Sequence, residues 1–182
     1  MASAHAVAQL SSDEFLRLYE ADDSELHSYE LFDGEVIERP MTNRVHDRIK
    51  NLVCKALDRY FEQNKTYIAL VETTFRLAPR TTFTPDIAVV KLERWDAMTE
   101  KFASGAPDVA FEVISTESAD RLKFKTDAYL DFGSKAVCCI YPNQRKIMVF
   151  EPGRVSEYKQ GEQLEFPSIF PGFAMPLSAI FD

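Results

Sequence analysis

Three ionisable side chains occupy positions where the pattern calls for an apolar core. Asp86 follows Pro85 at the mouth of the run Ile87-Ala88-Val89-Val90, and Glu112 lies between Phe111 and Val113 in the run Val109 to Ile114. Lys125 shares a helical face with Leu122, Tyr129 and Phe132, whereas Asp120, Asp127 and Asp131 gather opposite, at about 100° of turn per residue. Ionised groups are rarely buried without partners. Two acids and an amine at inward positions suit a divalent cation beside a phosphate. Magnesium favours carboxylate oxygens and water, and takes one or two carboxylates from a protein. Asp86 and Glu112 would supply these, with the Val113 backbone carbonyl as a third ligand and Mn2+ as an alternative ion. Lys125 would orient or deprotonate the attacking water and offset charge on the phosphate in the transition state. In-line attack on a phosphodiester follows from that arrangement. A plainer alternative is a buried Glu112–Lys125 ion pair joining helix to sheet. Such pairs stabilise poorly once desolvation is counted, and Asp86 would need a separate explanation.

The elements that must carry these groups are readable in order. Ser11-Ser12-Asp13-Glu14 forms a capping box opening a helix through Tyr19, followed by an acidic connector, Ala21 to His27. Tyr29 to Arg39 reads as a hairpin turning at Asp33-Gly34. Thr42 or Asn43 can cap a long helix ending near Gln63, with Val45, Ile49, Leu52, Val53, Ala56 and Tyr60 as its apolar stripe. Arg44, Arg48, Lys55 and Arg59 line one flank, either as a solvated face or as a row that tracks phosphates. His46, at the stripe's edge, fits a hydrogen-bonded structural histidine better than a catalytic one.

Strands are expected over Tyr67 to Val71, Thr73 to Leu77 and Ile87 to Val90, with a turn at Pro79-Arg80-Thr81-Thr82 and a helical turn around Trp95. The near-continuous apolar run at Val109 to Ile114 is the kind covered on both faces. A helix from Ser118 to Phe132 stops at Gly133. Ala136 to Tyr141, Lys146 to Phe150, Val155 to Tyr158 and Gln163 to Phe166 complete the strands before an apolar closing segment. This order is α/β or α+β: a mixed central sheet flanked by helices, with an N-terminal hairpin and C-terminal strands.

At 182 residues, with no internal repeat or linker, the chain reads as one domain, with residues 1–10 disordered. Nothing approaches the roughly 18 apolar residues of a membrane helix, and Met1 to Leu10 has no signal-peptide pattern. Three cysteines, two of them adjacent at Cys138-Cys139, have no zinc-site spacing and fit a reducing cytoplasm. The net charge of −8 opposes indiscriminate nucleic-acid binding, which phosphate neutralisation drives, but permits a local basic patch or an acidic site loaded first with metal.

Pro85-Asp86, then Glu112-Val113-Ile114-Ser115, then Lys125 ahead of Tyr129 and Gly133, resembles the PD-(D/E)XK nuclease superfamily, and within it the Uma-two family of restriction-endonuclease-like proteins. Tyr29-Glu30-Leu31-Phe32-Asp33-Gly34-Glu35, His46 and Phe170-Pro171-Gly172-Phe173 extend the likeness over nearly the whole chain. The resemblance implies a restriction-endonuclease-like core, divalent-metal dependence, DNA as substrate and homodimers. It also implies that the catalytic lysine has moved from the strand to the following helix, as the place of Lys125 requires. Position by position it assigns metal binding to Asp86 and Glu112 and catalysis to Lys125. It adds Glu35 as a weaker N-terminal acid, with Glu30 or Glu72 as substitutes, and His46 as weaker still. Two departures bear on loops and partners: Ser134-Lys135-Ala136 where the family has a Val-Pro-Glu-Tyr-Trp-like run, and Tyr141-Pro142 where it has Asp-Pro.

Three functions compete on these grounds. The first is a magnesium-dependent DNA endonuclease using Asp86, Glu112 and Lys125. The second is a catalytically silent nuclease-like module that binds nucleic acid or a protein. The third is a structural domain with a buried ion pair.

Overall fold

A computed structural model describes residues 9–19, 28–115 and 118–182. The connector expected over Ala21 to His27 and most of the N-terminal stretch expected to be disordered lie outside these residues.

A six-stranded mixed sheet forms the centre. It contains β3 (Tyr67–Val71), β6 (Ile87–Lys91), β8 (Val109–Val113), β9 (Ala136–Tyr141), β10 (Lys146–Glu151) and β11 (Arg154–Lys159), in the order β11-β10-β9-β8-β6-β3. The β8–β9 pair is parallel and the others are antiparallel. Parallel neighbours need a crossover, supplied here by the helix Ala119–Asp131. All five residues of β8 are buried, because both faces of that strand are covered.

One face of the sheet packs against the long helix Arg44–Gln63 together with the ribbon of β12 (Gln163–Phe166) and β13 (Phe170–Pro176). The other face carries Ala119–Asp131 and a second, five-stranded sheet. That sheet contains β1 (Tyr29–Phe32), β2 (Glu35–Glu38), β4 (Phe75–Ala78), β5 (Thr81–Phe83) and β7 (Ala103–Ser104), in the order β2-β1-β5-β4-β7. Among the described residues the α-helices are α1 (Ser12–Tyr19), α2 (Arg44–Gln63), α3 (Leu92–Asp96), α4 (Ala119–Asp131) and α5 (Ser178–Phe181). Strand alternation sends Cys138 into one core and Cys139 into the other, so both serve packing. Among the described residues no helix is long and apolar enough to cross a membrane.

Local signals match their elements. Ser11 and Glu14 exchange the reciprocal bonds of a capping box, and Asn43 Oδ1 accepts from the Val45 and His46 amides to cap α2. Asp33 and Gly34 both have positive φ, at 41° and 87°, as a tight two-residue hairpin turn requires.

Three expectations need correction. Thr81 and Thr82 belong to β5 rather than to a turn, with Thr82 fully buried opposite Leu31 and its hydroxyl donated to Ser12 Oγ. Their β-branched side chains suit a strand, and internal partners make their burial tolerable. The buried stripe of α2 is rotated: His46, Ile49, Lys50, Val53, Leu57 and Phe61 face inward and Val45 is exposed. Acidic partners draw His46 and Lys50 inside, which an apolar pattern alone does not register. Phe132 caps α4 and is exposed, while Leu122, Lys125 and Tyr129 are buried as the stripe predicts.

Candidate active site

The ladder between β6 and β8 sets Ile87 opposite Phe111, which places Asp86 and Glu112 at the next rung, where the two strands part. The two residues are 3% and 5% exposed. Residues of β8 alternate faces, so Glu112 projects toward α4. There the Lys125 amine stands 2.9 Å from Glu112 Oε1 and 2.9 Å from Glu30 Oε1. Tyr129, one turn further along α4, donates its hydroxyl to the same Glu112 oxygen at 3.1 Å. Burial, then the charges of Glu112 and Glu30, push the Tyr129 phenol well above its ordinary range, so it serves as a neutral donor.

Glu30 reaches this point from β1, where its carboxylate also accepts the Thr84 amide at 3.0 Å. Arg39, just past β2, places Nη2 3.4 Å from Asp86 Oδ1 and Nε 3.9 Å from Glu30 Oε1. Burial works against the Arg39 charge, but Glu30, Glu112 and Asp86 outweigh it and raise its pKa. Arg121 adds a guanidinium 3.7 Å from Glu30.

Asp86 is held at its other oxygen. Its Oδ2 lies 3.0 Å from His46 Nε2 and accepts the Val113 amide at 2.7 Å. Burial alone would raise the Asp86 carboxyl. The bond and charge of His46, the Val113 N–H and Arg39 together outweigh burial and hold the carboxyl below the usual range. The Asp86 carbonyl accepts the Glu72 amide at 3.2 Å. Glu72 adopts a left-handed φ of 47°, and its carboxylate meets the buried Lys50 amine at 2.7 Å.

These groups line a cavity of about 30 Å³ bounded by Glu30, Arg39, His46, Asp86, Glu112 and Lys125, more than the roughly 10–15 Å³ that admits one water. The space and the oxygen donors fit a small hard cation that retains water. Among the described residues no three His, Cys, Asp or Glu side chains converge as a ready metal cage. The donor set instead matches a site with one or two carboxylates completed by water.

Asp86, Glu112, Lys125 and His46 are thus brought together. Glu35 is exposed and lines a neighbouring cavity. The N-terminal acid in the cluster is Glu30, named from sequence only as a substitute. Val113 contributes its amide to Asp86. Arg44, Arg48, Lys55 and Arg59 are exposed on α2. Arg39 and Tyr129 were not recognised as site residues. Tyr129 stands four residues beyond Lys125 on the same helical face, a spacing that could have flagged it.

Residues 12–178 match the family Uma2, described as "Putative restriction endonuclease". The chain belongs to the Uma2 family. The structure of a putative nuclease belonging to DUF820 from Anabaena variabilis ATCC 29413 superposes with a TM-score of 0.84 at 20% identity. The match covers 94% of this chain and 97% of that one. This Uma2 chain therefore has a restriction-endonuclease-like fold. No curated protein matches it.

Proposed function

We propose that this Uma2 chain is a magnesium- or manganese-dependent endonuclease that hydrolyses phosphodiester bonds in DNA. The observation carrying the proposal is the meeting of Lys125 with Glu112 at 2.9 Å, in a cavity that Asp86 enters from the adjacent strand. Asp86 and Glu112 would hold the cation, with the Val113 carbonyl as a further ligand. Bound there, a divalent ion lowers the pKa of water and stabilises charge on a phosphoryl oxygen. Lys125 orients the attacking water and offsets negative charge as the phosphorus gains its fifth oxygen. Glu30 and Glu112 fix the Lys125 amine, and Tyr129 holds the Glu112 carboxylate in one rotamer. His46 acts through Asp86, whose carboxylate it orients.

One observation favours the silent-module alternative: the carboxylates of the cluster already face Lys125, Arg39 or His46. Calorimetry with Mn2+ and a cleavage assay on single-stranded, duplex and branched DNA separate the two. The endonuclease proposal requires Mn2+ binding that Asp86→Ala removes, and cleavage that Asp86→Ala, Glu112→Ala and Lys125→Ala each abolish. No heat of metal binding, or cleavage that survives all three substitutions, would refute it.

A further inference from the structure

Beside the small charged cavity lies a larger one, about 320 Å³, with walls of different chemistry. Phe32, Phe83 and Phe124 form its apolar lining, and Glu30 and Lys125 belong to both cavities. The Lys125 amine lies 5.7 Å from the centre of the Phe83 ring. One face of this amine therefore addresses carboxylates and the other an aromatic wall. Phe32 and Phe83 present rings only 19° from parallel, and Phe124 stands beside them on the same lining. Phe124 is 39% exposed on a helix whose adjacent residues are both lysines. Phe124 belongs to neither core cluster, so part of its ring faces the cavity rather than the interior.

The two cavities together describe a ligand with two unlike parts. The small cavity admits little beyond a cation, water and an oxygen of a phosphate ester. The large one suits a flat aromatic group. Arg121 lines the large cavity and approaches Glu30, so cationic groups stand at the boundary between the two. Glu35 and Asp120 lie on the same lining; their charge repels phosphate, which keeps the backbone on the Lys125 side. A phosphate at the boundary with a planar base beyond it is a nucleotide.

We infer that this cavity receives an unstacked nucleobase adjacent to the scissile phosphate, so that the substrate is single-stranded or locally unpaired DNA. The inference rests on the endonuclease proposal and specifies its substrate. A base within a duplex is paired and stacked, and enters a lateral pocket only after leaving the helix. Phenylalanine faces accept any base, so the pocket selects strand state rather than sequence.

The test uses the full chain in Ca2+ and two probes of equal length and charge: an oligodeoxyadenylate of about five nucleotides, a length on the scale of single-strand sites, and its abasic counterpart. The wild type should bind the base-bearing probe on the order of tenfold more tightly. Phe124→Ala and Phe124→Leu should bring the ratio near one, while Phe124→Trp retains it; the leucine variant preserves apolar packing if the alanine variant folds poorly. Equal affinity for both probes, no binding of either, or a ratio unchanged in both Phe124→Ala and Phe124→Leu would overturn the inference. So would a Phe124→Ala variant that alters sedimentation but not the ratio, since the pocket would then be covered by a second copy of the chain. Cleavage lost in Asp86→Ala alongside equal probe affinities would remove the base pocket and leave the endonuclease proposal standing. A tenfold preference without metal binding would remove the endonuclease proposal instead.

Discussion

Replacing Lys125 with methionine tests whether one amine holds two carboxylates in the interior. Its Nζ lies 2.9 Å from an oxygen of Glu30 and 2.9 Å from one of Glu112, so those oxygens are at most twice 2.9 Å apart. Without the amine, two unit negative charges at that limit repel by about 3 kcal/mol at an effective dielectric near 20. Removing one partner of a buried ion pair typically costs about 3–5 kcal/mol, in line with this bound. For a chain of this size a loss of about 3 kcal/mol lowers Tm by roughly 6–12 °C. Glu112→Gln should cost much less, about 1 kcal/mol, because Lys125 retains Glu30 and Tyr129 retains an acceptor. Urea denaturation at pH 7.5 measures the effect. A Lys125→Met loss below about 1 kcal/mol, far beneath the buried-pair range, would refute the shared-amine account.

Three further outcomes are expected. Tyr129→Phe removes the buried donor to Glu112 and should cost about 1–2 kcal/mol by chemical denaturation; a neutral result would mean that water replaces the phenol. Asn43→Ala deletes the cap of α2 and should cost about 1 kcal/mol, with added mobility of the His46 ring visible by NMR; a rigid ring and unchanged Tm would contradict this. The Cys54 thiol, half-buried and beside Asp58, is pushed up to about 11 by burial first and then by that charge. Alkylation of the native protein should thus be slow at pH 7.5 and accelerate as the pH approaches that value, since the thiolate is the nucleophile; rapid labelling at neutral pH would show the assignment to be wrong.

Much of the fold was legible because its elements announce themselves locally. The Ser11–Glu14 box, the Asp33-Gly34 turn and the Gly133 stop each use short-range chemistry, and the apolar run of β8 marks a strand covered on both sides. The convergence of Asp86, Glu112 and Lys125 was also legible, since each breaks an otherwise apolar pattern. The identity of the N-terminal acid was not. Glu30 and Glu35 face the same side of the hairpin, by the pairing of Glu30 with Ile37 and Phe32 with Glu35, so parity does not separate them. What separates them is β5 lying against β1, which brings the Thr84 amide to Glu30. Reading Thr81 and Thr82 as a turn hid that strand. Lys50 was similarly obscured, because its inward orientation follows from an acid 22 residues away.

Glu30 belongs to the five-stranded sheet, Glu112 to the six-stranded one, and a single ammonium group on the crossover helix clasps both. Sliding of one sheet over the other would strand at least one anion in the interior, so relative shear between the layers is opposed by electrostatics as well as by packing. Amide exchange in β1 and β8 should accordingly proceed through a common opening event, although the two strands share no backbone hydrogen bond. The clasp makes two architecturally separate halves into one cooperative unit.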